Sequence, residues 1–171
     1  MKVIKQKIAD LPMVYVTAEL CLRGKRYLAA VSEERGEKAY IIDPQTGKYA
    51  ELWQGDTGVM NVIQIPGKEQ LLVIVRFYPV FQSRDAAICL VEPTSDDFMK
   101  PWRIQEVISL PFCHRIGIVK TGDGLFVLGC QLCKDKEFQE DWSKPGALWM
   151  ARIPRKPEEE WNPIKIFDGL I

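Results

Sequence analysis

The chain has 171 residues, of which 47% are hydrophobic, and its 23 basic residues balance 23 acidic ones. This composition is ordinary for a single globular domain with a hydrophobic core and excludes a disordered or fibrous protein. Balanced charge gives no overall attraction to nucleic acid or to an anionic membrane surface, so we expect neither as a partner.

The first residues, Met1 to Lys7, are basic but lack the roughly 7–15 apolar residues at the centre of a secretory signal. No apolar run in the chain approaches the roughly 20 residues that span a bilayer. We therefore expect a cytoplasmic protein. The segment 2–13 aligns with 103–112, because both run into a Leu-Pro pair. Residues 1–12 are accordingly predicted to form a leading outer strand.

Residues 13–54 are predicted to form a first unit of four strands, at 13–21, 26–32, 38–43 and 48–54. The connection between its third and fourth strands, Asp43-Pro-Gln-Thr-Gly-Lys48, supplies the Pro and Gly that a tight turn requires. The same order of strands recurs in 55–110 and again in 111–171. The chain is therefore predicted to be a repeat protein.

The second and third units match each other strand by strand. Each has a short apolar strand, a Gly turn, a long apolar strand, a polar loop, a third strand that ends in proline and a fourth that begins near a tryptophan. A repeat of about 50 residues built from strands is typical of units that bury their faces by stacking on neighbours. The predicted strands are 61–68, 70–78, 87–93 and 102–109 in the second unit and 114–121, 124–132, 147–154 and 161–168 in the third.

Over nearly its whole length the chain resembles the β-propeller class, whose blades are sheets of four antiparallel strands. The resemblance implies an all-β fold of three consecutive four-stranded antiparallel blades behind an N-terminal closing strand, which is half or a fragment of a propeller of roughly six to seven blades. No specific family follows. The units lack the Trp-Asp ending of WD repeats, the double glycines of kelch repeats and the calcium loops of FG-GAP repeats.

Three blades do not comfortably close a ring, since propellers have about four to eight. Two explanations are open: C-terminal blades are missing from a longer propeller, or two copies join head-to-tail into a six-bladed ring as a homo-oligomer. An isolated half-propeller is a third. Exposed blade faces and unpaired edge strands favour association at the open ends, either with missing blades or with a second copy.

In a propeller, the loops that join successive units and those that join second to third strands lie on one face. The second-to-third loops at 76–85 and 134–146 are long and rich in charged and aromatic residues. Loops on a rigid scaffold often carry binding sites, so we predict a polar small molecule or sugar on this face. Alternatively, the loops fold on themselves and their aromatic residues fill the gap between blades. The candidate ligand-binding residues are Asn61, Arg76, Tyr78, Arg115, Gln131, Asp141 and Trp142.

The only histidine, His114, begins the first strand of the third unit and is the candidate catalytic residue. An imidazole titrates near neutral pH and could act as an acid or a base, whereas the alternative is a hydrogen-bonded residue that closes a strand end. One imidazole cannot make a His-rich metal site, so no cofactor is predicted. A mixed divalent-metal site with an Asp or Glu from 134–142 is left open.

Two functions follow from these residues. The first is a binding module that uses the loop-rich face for a ligand or partner. The second comes from the resemblance, since propeller lyases and isomerases that act on sugars often place metal-binding histidines at the starts of inner strands, where His114 would lie. The alternative is therefore part of a propeller enzyme that acts on a carbohydrate-like substrate.

The five cysteines are odd in number and mostly lie in apolar strands, a pattern typical of reduced core thiols and not of a disulfide framework. Cys130 and Cys133 form a Cys-x-x-Cys motif, but residues three apart on a strand point to opposite faces. We therefore do not expect a redox or zinc pair there.

Overall fold

The computed structural model describes residues 3–170, and these form an all-β structure without helices. In residues 3–170, twelve strands make three four-stranded antiparallel sheets, each built from strands that follow one another in the chain, and none of these sheets closes on itself. Within the described range, no helix long and apolar enough to cross a membrane is found. The strands are β1 (Val14–Leu22), β2 (Lys25–Ser32), β3 (Ala39–Ile42), β4 (Tyr49–Trp53), β5 (Asn61–Gln64), β6 (Leu71–Val75), β7 (Ala87–Glu92), β8 (Arg103–Ser109), β9 (Cys113–Thr121), β10 (Gly124–Gln131), β11 (Gly146–Arg152) and β12 (Ile164–Leu170).

The strands predicted from residue 13 onward are confirmed, although several are shorter than expected. β6 ends at Val75 because Arg76 has a φ of 58°, which an extended strand cannot accommodate. β12 begins only at Ile164, directly after a proline. No strand is assigned to residues 3–12, and residues 1 and 2 of the predicted leading strand lie outside the described range. The leading outer strand needs a neighbouring strand to pair with, and it stays a prediction.

The second sheet, β5–β8, lies at the centre because its two faces contribute to two separate hydrophobic clusters. Leu71, Val73 and Val75 join the cluster shared with the first sheet, whereas Leu72 and Ile74 join the cluster shared with the third. This alternation follows from the period of two in a strand, and it explains why β6 is apolar at every position. Each of these fully buried side chains contributes about 1.5–3 kcal/mol of hydrophobic stabilisation.

Two side-chain amides of β5 bind the first strands of the neighbouring sheets. Gln64 accepts a hydrogen bond from the backbone N–H of Cys21 and donates one to the Cys21 carbonyl, both at 2.8 Å. At the other end of β5, the Oδ1 of Asn61 accepts from the N–H of Ile116 in β9 at 2.9 Å. The first strands of the sheets therefore lie side by side, with β5 between β1 and β9.

All five cysteines are free thiols, and Cys89, Cys113 and Cys133 are buried. Burial, and then the nearby carboxylate of Asp56, raises the pKa of Cys89 to about 12. Burial also raises the pKa of Cys113. Thiols with raised pKa values stay protonated at neutral pH and are poor nucleophiles, so these two cysteines act as apolar core residues.

Candidate functional site

The loops that join β6 to β7 and β10 to β11 meet through a chain of aromatic rings, here called the aromatic row. Between ring centroids, His114 lies 5.4 Å from Phe77, Phe77 lies 6.4 Å from Phe81, and Phe81 lies 6.1 Å from Trp142. Phe77 is fully buried, whereas Phe81 and Trp142 are 38% and 46% exposed. The row therefore presents two accessible aromatic rings at one end.

A buried lysine supports the exposed end of the aromatic row. Lys136 is only 1% exposed, and its ammonium group lies 3.1 Å from the ring centroid of Trp142 and 6.0 Å from that of Phe81. The ammonium group also donates a hydrogen bond to the carbonyl of Gln139 at 2.7 Å. A desolvated cation–π contact is worth about 2 kcal/mol. Lys136 therefore helps to fix the position of the Trp142 ring.

Arg84 connects the two loops directly. Its Nε donates to Oδ1 of Asp135 at 3.1 Å, and its Nη2 donates to the carbonyl of Lys136. The guanidinium also lies 5.9 Å from the ring centroid of Phe112, in the turn between β8 and β9. Hydrogen bonds to charged groups are stronger than neutral ones. The two loops are therefore joined by charge as well as by aromatic contacts.

Asp141 organises the β10–β11 loop from within. Its buried carboxylate accepts hydrogen bonds from the Ser143 hydroxyl at 2.6 Å, the Ser143 N–H at 2.9 Å and the Glu137 N–H at 3.0 Å. These hydrogen bonds, with that of the Ser143 hydroxyl the largest cause, lower the pKa of Asp141 to about 2. Asp141 therefore fixes the backbone beside Trp142, with its carboxylate oxygens turned toward its own loop.

We expect Asp141→Asn to lower the thermal unfolding midpoint at neutral pH and to have a much smaller effect at about pH 2. The folded-state pKa lies below the ordinary value of 3.8, so the carboxylate stabilises the fold above that pH, and the stabilisation is lost as pH falls through about 2. Thermal unfolding of both proteins across this range measures the difference. A difference in midpoint that does not change with pH would contradict the prediction.

The starts of β1, β5 and β9 converge at Arg115, and we call this the strand-start junction. Nη1 of Arg115 donates to the carbonyl of Met60 at 3.0 Å and to that of His114 at 3.3 Å. Nη2 donates to Oη of Tyr15 at 3.1 Å, and the guanidinium lies 5.4 Å from the Tyr15 ring centroid. Arg115 thus contacts β1 and Met60, the residue directly before β5, close to the position of Asn61.

His114 is half-buried where the aromatic row approaches the strand-start junction. Burial, and then the positive charge of Arg115, lowers the pKa of His114, so the imidazole is neutral at pH 7. Across residues 3–170, no group of three or more His, Cys, Asp or Glu side chains comes together to hold a metal ion.

Arg76 and Tyr78 lie in the β6–β7 loop but outside the aromatic row. Arg76 forms ion pairs with Asp56, at 3.7 Å, and with Glu106. The ring of Tyr78 covers Gly58, where a Cβ atom would lie only 2.7 Å from the Tyr78 Cε1. Both side chains are therefore engaged with the first and second sheets, and the structure does not bring them to Trp142.

Gln131 lies at the end of β10 and is buried. Its Nε2 donates to the carbonyl of Pro111 at 3.1 Å, and its Oε1 accepts from the indole N–H of Trp149 at 3.3 Å. Both ends of the amide are therefore occupied within the fold. Of the predicted residues, His114 and Trp142 belong to the aromatic row, and Asn61 and Arg115 to the strand-start junction.

A groove of about 380 Å³ opens between the second and third sheets, at the β5–β6 turn and the β11–β12 loop. These connections join first to second strands and third to fourth strands. The predicted binding face is formed by the other loops, which join second to third strands and successive sheets. Several polar groups in the groove bind one another: Gln70 donates to Glu92 at 2.8 Å, and Lys68 donates to the carbonyl of Pro154 at 3.1 Å. The sequence does not predict this groove, because it depends on how two sheets face each other.

Comparison of the chain with protein-family models, with curated proteins and with solved structures found no match. The structure defines the class as an all-β protein of three consecutive four-stranded antiparallel sheets. The aromatic row and the strand-start junction are its two candidate binding features.

Proposed function

We propose that the chain is a ligand-binding β-propeller module whose ligand is a polar small molecule with a ring, such as a sugar. The binding face is formed by the loops that join successive sheets and by those that join second to third strands. The observation that carries the proposal is the pair of exposed rings, Phe81 and Trp142, held above a buried lysine. Sugars stack on such rings and pair their hydroxyls with nearby polar groups.

Several contacts support the propeller arrangement. The first strands of successive sheets are neighbours, as expected for inner strands around a channel. At the outer side, the N–H of Trp102 donates to the carbonyl of Leu52 at 2.7 Å, so the fourth strand of the first sheet meets the residue before β8. The central sheet is buried on both faces, as a blade between two blades would be.

The two outer sheets support the expectation of further blades or a second copy. The first sheet leaves Val14 and Tyr15 exposed, and the third leaves Ile164, Ile166 and Phe167 exposed on β12. Large apolar side chains grouped on a sheet face are typical of surfaces that another element covers. Missing C-terminal blades or a head-to-tail homo-oligomer would each cover these faces.

The polar side chains beside the exposed rings suit a hydroxylated ligand. Gln139 and Glu140 are exposed in the same loop as Trp142 and offer both donors and acceptors. The ring of Trp142 is held by Lys136 from one direction and by Phe81 from another. A ring fixed before binding loses little conformational entropy when the ligand stacks on it, and this favours affinity.

Titration with a panel of neutral and acidic monosaccharides and disaccharides, followed by calorimetry, tests the proposal. Trp142→Ala is expected to weaken binding about tenfold, because an aromatic contact adds about 0.5–1.5 kcal/mol beyond its buried area. The matched control is Tyr49→Ala, which removes an aromatic ring of similar exposure, 47%, from the first sheet and should leave affinity unchanged.

Equal affinity of the wild type and Trp142→Ala would contradict the binding site. Turnover of a sugar that is abolished by His114→Ala would instead favour the alternative, part of a propeller lyase or isomerase. The neutral, half-buried imidazole of His114 is the observation that favours this second function, since a neutral imidazole can accept a proton.

A further inference from the structure

The ammonium group of Lys136 lies over one face of the Trp142 ring. It is 3.1 Å from the ring centroid, and an ammonium at that distance in the plane of the indole would overlap the ring atoms. Lys136 is only 1% exposed, whereas Trp142 is 46% exposed. The accessible surface of Trp142 is therefore the face opposite Lys136, together with the ring edge.

Phe81 lies beside the edge of the Trp142 ring and does not cover this opposite face. The Phe81 centroid is 6.1 Å from that of Trp142 and 6.0 Å from the Lys136 ammonium. Because the ammonium is 3.1 Å from the Trp142 centroid, the directions from Trp142 to Phe81 and to the ammonium are nearly perpendicular. The open face of Trp142 is therefore turned away from both neighbours.

The charge of Lys136 is not neutralised by an ion pair. No carboxylate anywhere in residues 3–170 lies within ion-pair distance of its ammonium, which donates to the carbonyl of Gln139 at 2.7 Å. The two aspartates of the same loop bind other groups, since Asp135 pairs with Arg84 at 3.1 Å and Asp141 bonds within its own loop. The nearest partners of the ammonium are thus a carbonyl oxygen and an aromatic face.

This charge changes what the open face of Trp142 can bind. The face of an indole without a neighbouring charge is negative and attracts cations. A ligand stacked on Trp142 at the usual ~3.5–4.0 Å would lie about 7 Å from the ammonium, within the Debye length of ~8 Å at physiological salt. The ring also excludes water from the space between the two charges, so screening is weak. A second positive charge on the open face is therefore repelled, and a negative charge is attracted.

We propose that Lys136 sets the charge selectivity of the binding face, so that the open face of Trp142 accepts neutral or anionic ring compounds and rejects cationic ones such as amino sugars. The assignment deepens the proposed function and rests on it for the sugar, whereas the charge at the ring rests on Lys136 and Trp142 alone. Lys136 acts through Trp142 as a positioning residue, because its burial keeps it from the ligand.

Fluorescence quenching of Trp142 tests the charge without any sugar. Iodide, caesium and acrylamide are anionic, cationic and neutral quenchers, and the Trp142 signal is the difference between the wild type and Trp142→Phe. We expect iodide to quench Trp142 better, relative to caesium, than it quenches free N-acetyltryptophanamide. Residues 134–146 include four acidic residues and three lysines, so the net charge of the loop would give the opposite preference. An iodide preference no greater than that of the free compound would overturn the assignment.

Lys136→Met removes the charge and keeps an unbranched apolar side chain in the buried position. We expect the iodide preference to fall to that of the free compound, while acrylamide quenching stays the same because the ring remains equally accessible. The matched control is Lys144→Met, which removes one positive charge from the same loop, where Lys144 is 45% exposed and pairs with Asp135 at 3.4 Å. This control should keep the wild-type preference. An equal loss in both variants would assign the preference to the loop as a whole and overturn the role of Lys136.

Calorimetry with galactose and galactosamine, at a pH where the amine is protonated, tests the same selectivity with a ligand. The wild type is expected to bind galactosamine about tenfold more weakly than galactose, because the two positive charges lie about 7 Å apart. In Lys136→Met this difference should disappear, whereas a purely structural role of Lys136 would weaken both sugars alike. Equal affinity of the wild type for both sugars would overturn the selectivity and leave the sugar-binding proposal intact. An iodide preference without binding of any sugar would support the charge assignment and remove the sugar as the ligand.

Discussion

Replacing Phe77 with alanine is expected to destabilise the protein by about 3–5 kcal/mol, the usual effect of removing a buried aromatic side chain from a core. Phe77 is fully buried, and it contacts His114 at 5.4 Å and Phe81 at 6.4 Å between ring centroids. Its backbone N–H donates to the carbonyl of Gly58 at 3.0 Å. Alanine keeps this backbone hydrogen bond, so the substitution measures the loss of the side chain alone. Urea unfolding followed by circular dichroism measures the change.

The matched control for Phe77→Ala is Phe138→Ala. Phe138 lies in the β10–β11 loop and is 60% exposed, so its removal should change stability by no more than about 0.5 kcal/mol. Phe77→Ala should also weaken ligand binding, because the cavity removes support from both His114 and Phe81. Equal unfolding free energies for the two variants would show that Phe77 is not the packed centre of the aromatic row.

The strands could be predicted from sequence because their apolar pattern is local. Leu71 to Val75 are apolar at every position, and the structure buries all of them between two sheets. The end of that strand could not be predicted. Arg76 has a positive φ, and a non-glycine residue in this conformation has no reliable sequence signature. How three sheets pack depends on contacts between distant residues, which periodicity does not encode.

Part of the candidate site could be predicted, because residue type alone marks some of its members. His114 and Trp142 stood out by residue type, and both belong to the aromatic row. Lys136 was missed, since lysines in charged loops are normally exposed and nothing in the local sequence marks this one as buried. Its burial depends on two rings supplied by different loops.

The local sequence around Asp141 carries a signal for a structural role. It was predicted as a ligand-binding residue, whereas its carboxylate bonds to Ser143 and Glu137 of its own loop. Aspartate side chains in loops often accept a hydrogen bond from the backbone N–H two residues further along the chain, as Asp141 does from Ser143. Short polar side chains in loops often satisfy the local backbone first.

Gly146→Ala is expected to destabilise the protein and to reduce the yield of folded protein. The loss of stability should exceed that of ordinary overpacking in a core, which is about 1–3 kcal/mol. Gly146 begins β11, and a Cβ atom there would overlap the carbonyl oxygen of Gln131 and lie 2.6 Å from its carbonyl carbon. Both atoms belong to backbone, which cannot rotate away as a side chain can. β10 and β11 would therefore have to separate where the loop that carries Trp142 ends.

The matched control is Gly117→Ala in β9. No atom lies within 4 Å of a Cβ built at Gly117, and neither Gly117 nor Gly146 has a positive φ, so the two substitutions differ in the space available and not in backbone strain. Gly117→Ala should leave stability unchanged or raise it by about 0.4–1 kcal/mol through the unfolded state. The thermal unfolding midpoints of the two variants and the wild type test this prediction. If Gly146→Ala unfolds at the same temperature as the control, the close approach of β11 to Gln131 is not a constraint on the fold, and the β10–β11 loop is not held by that contact.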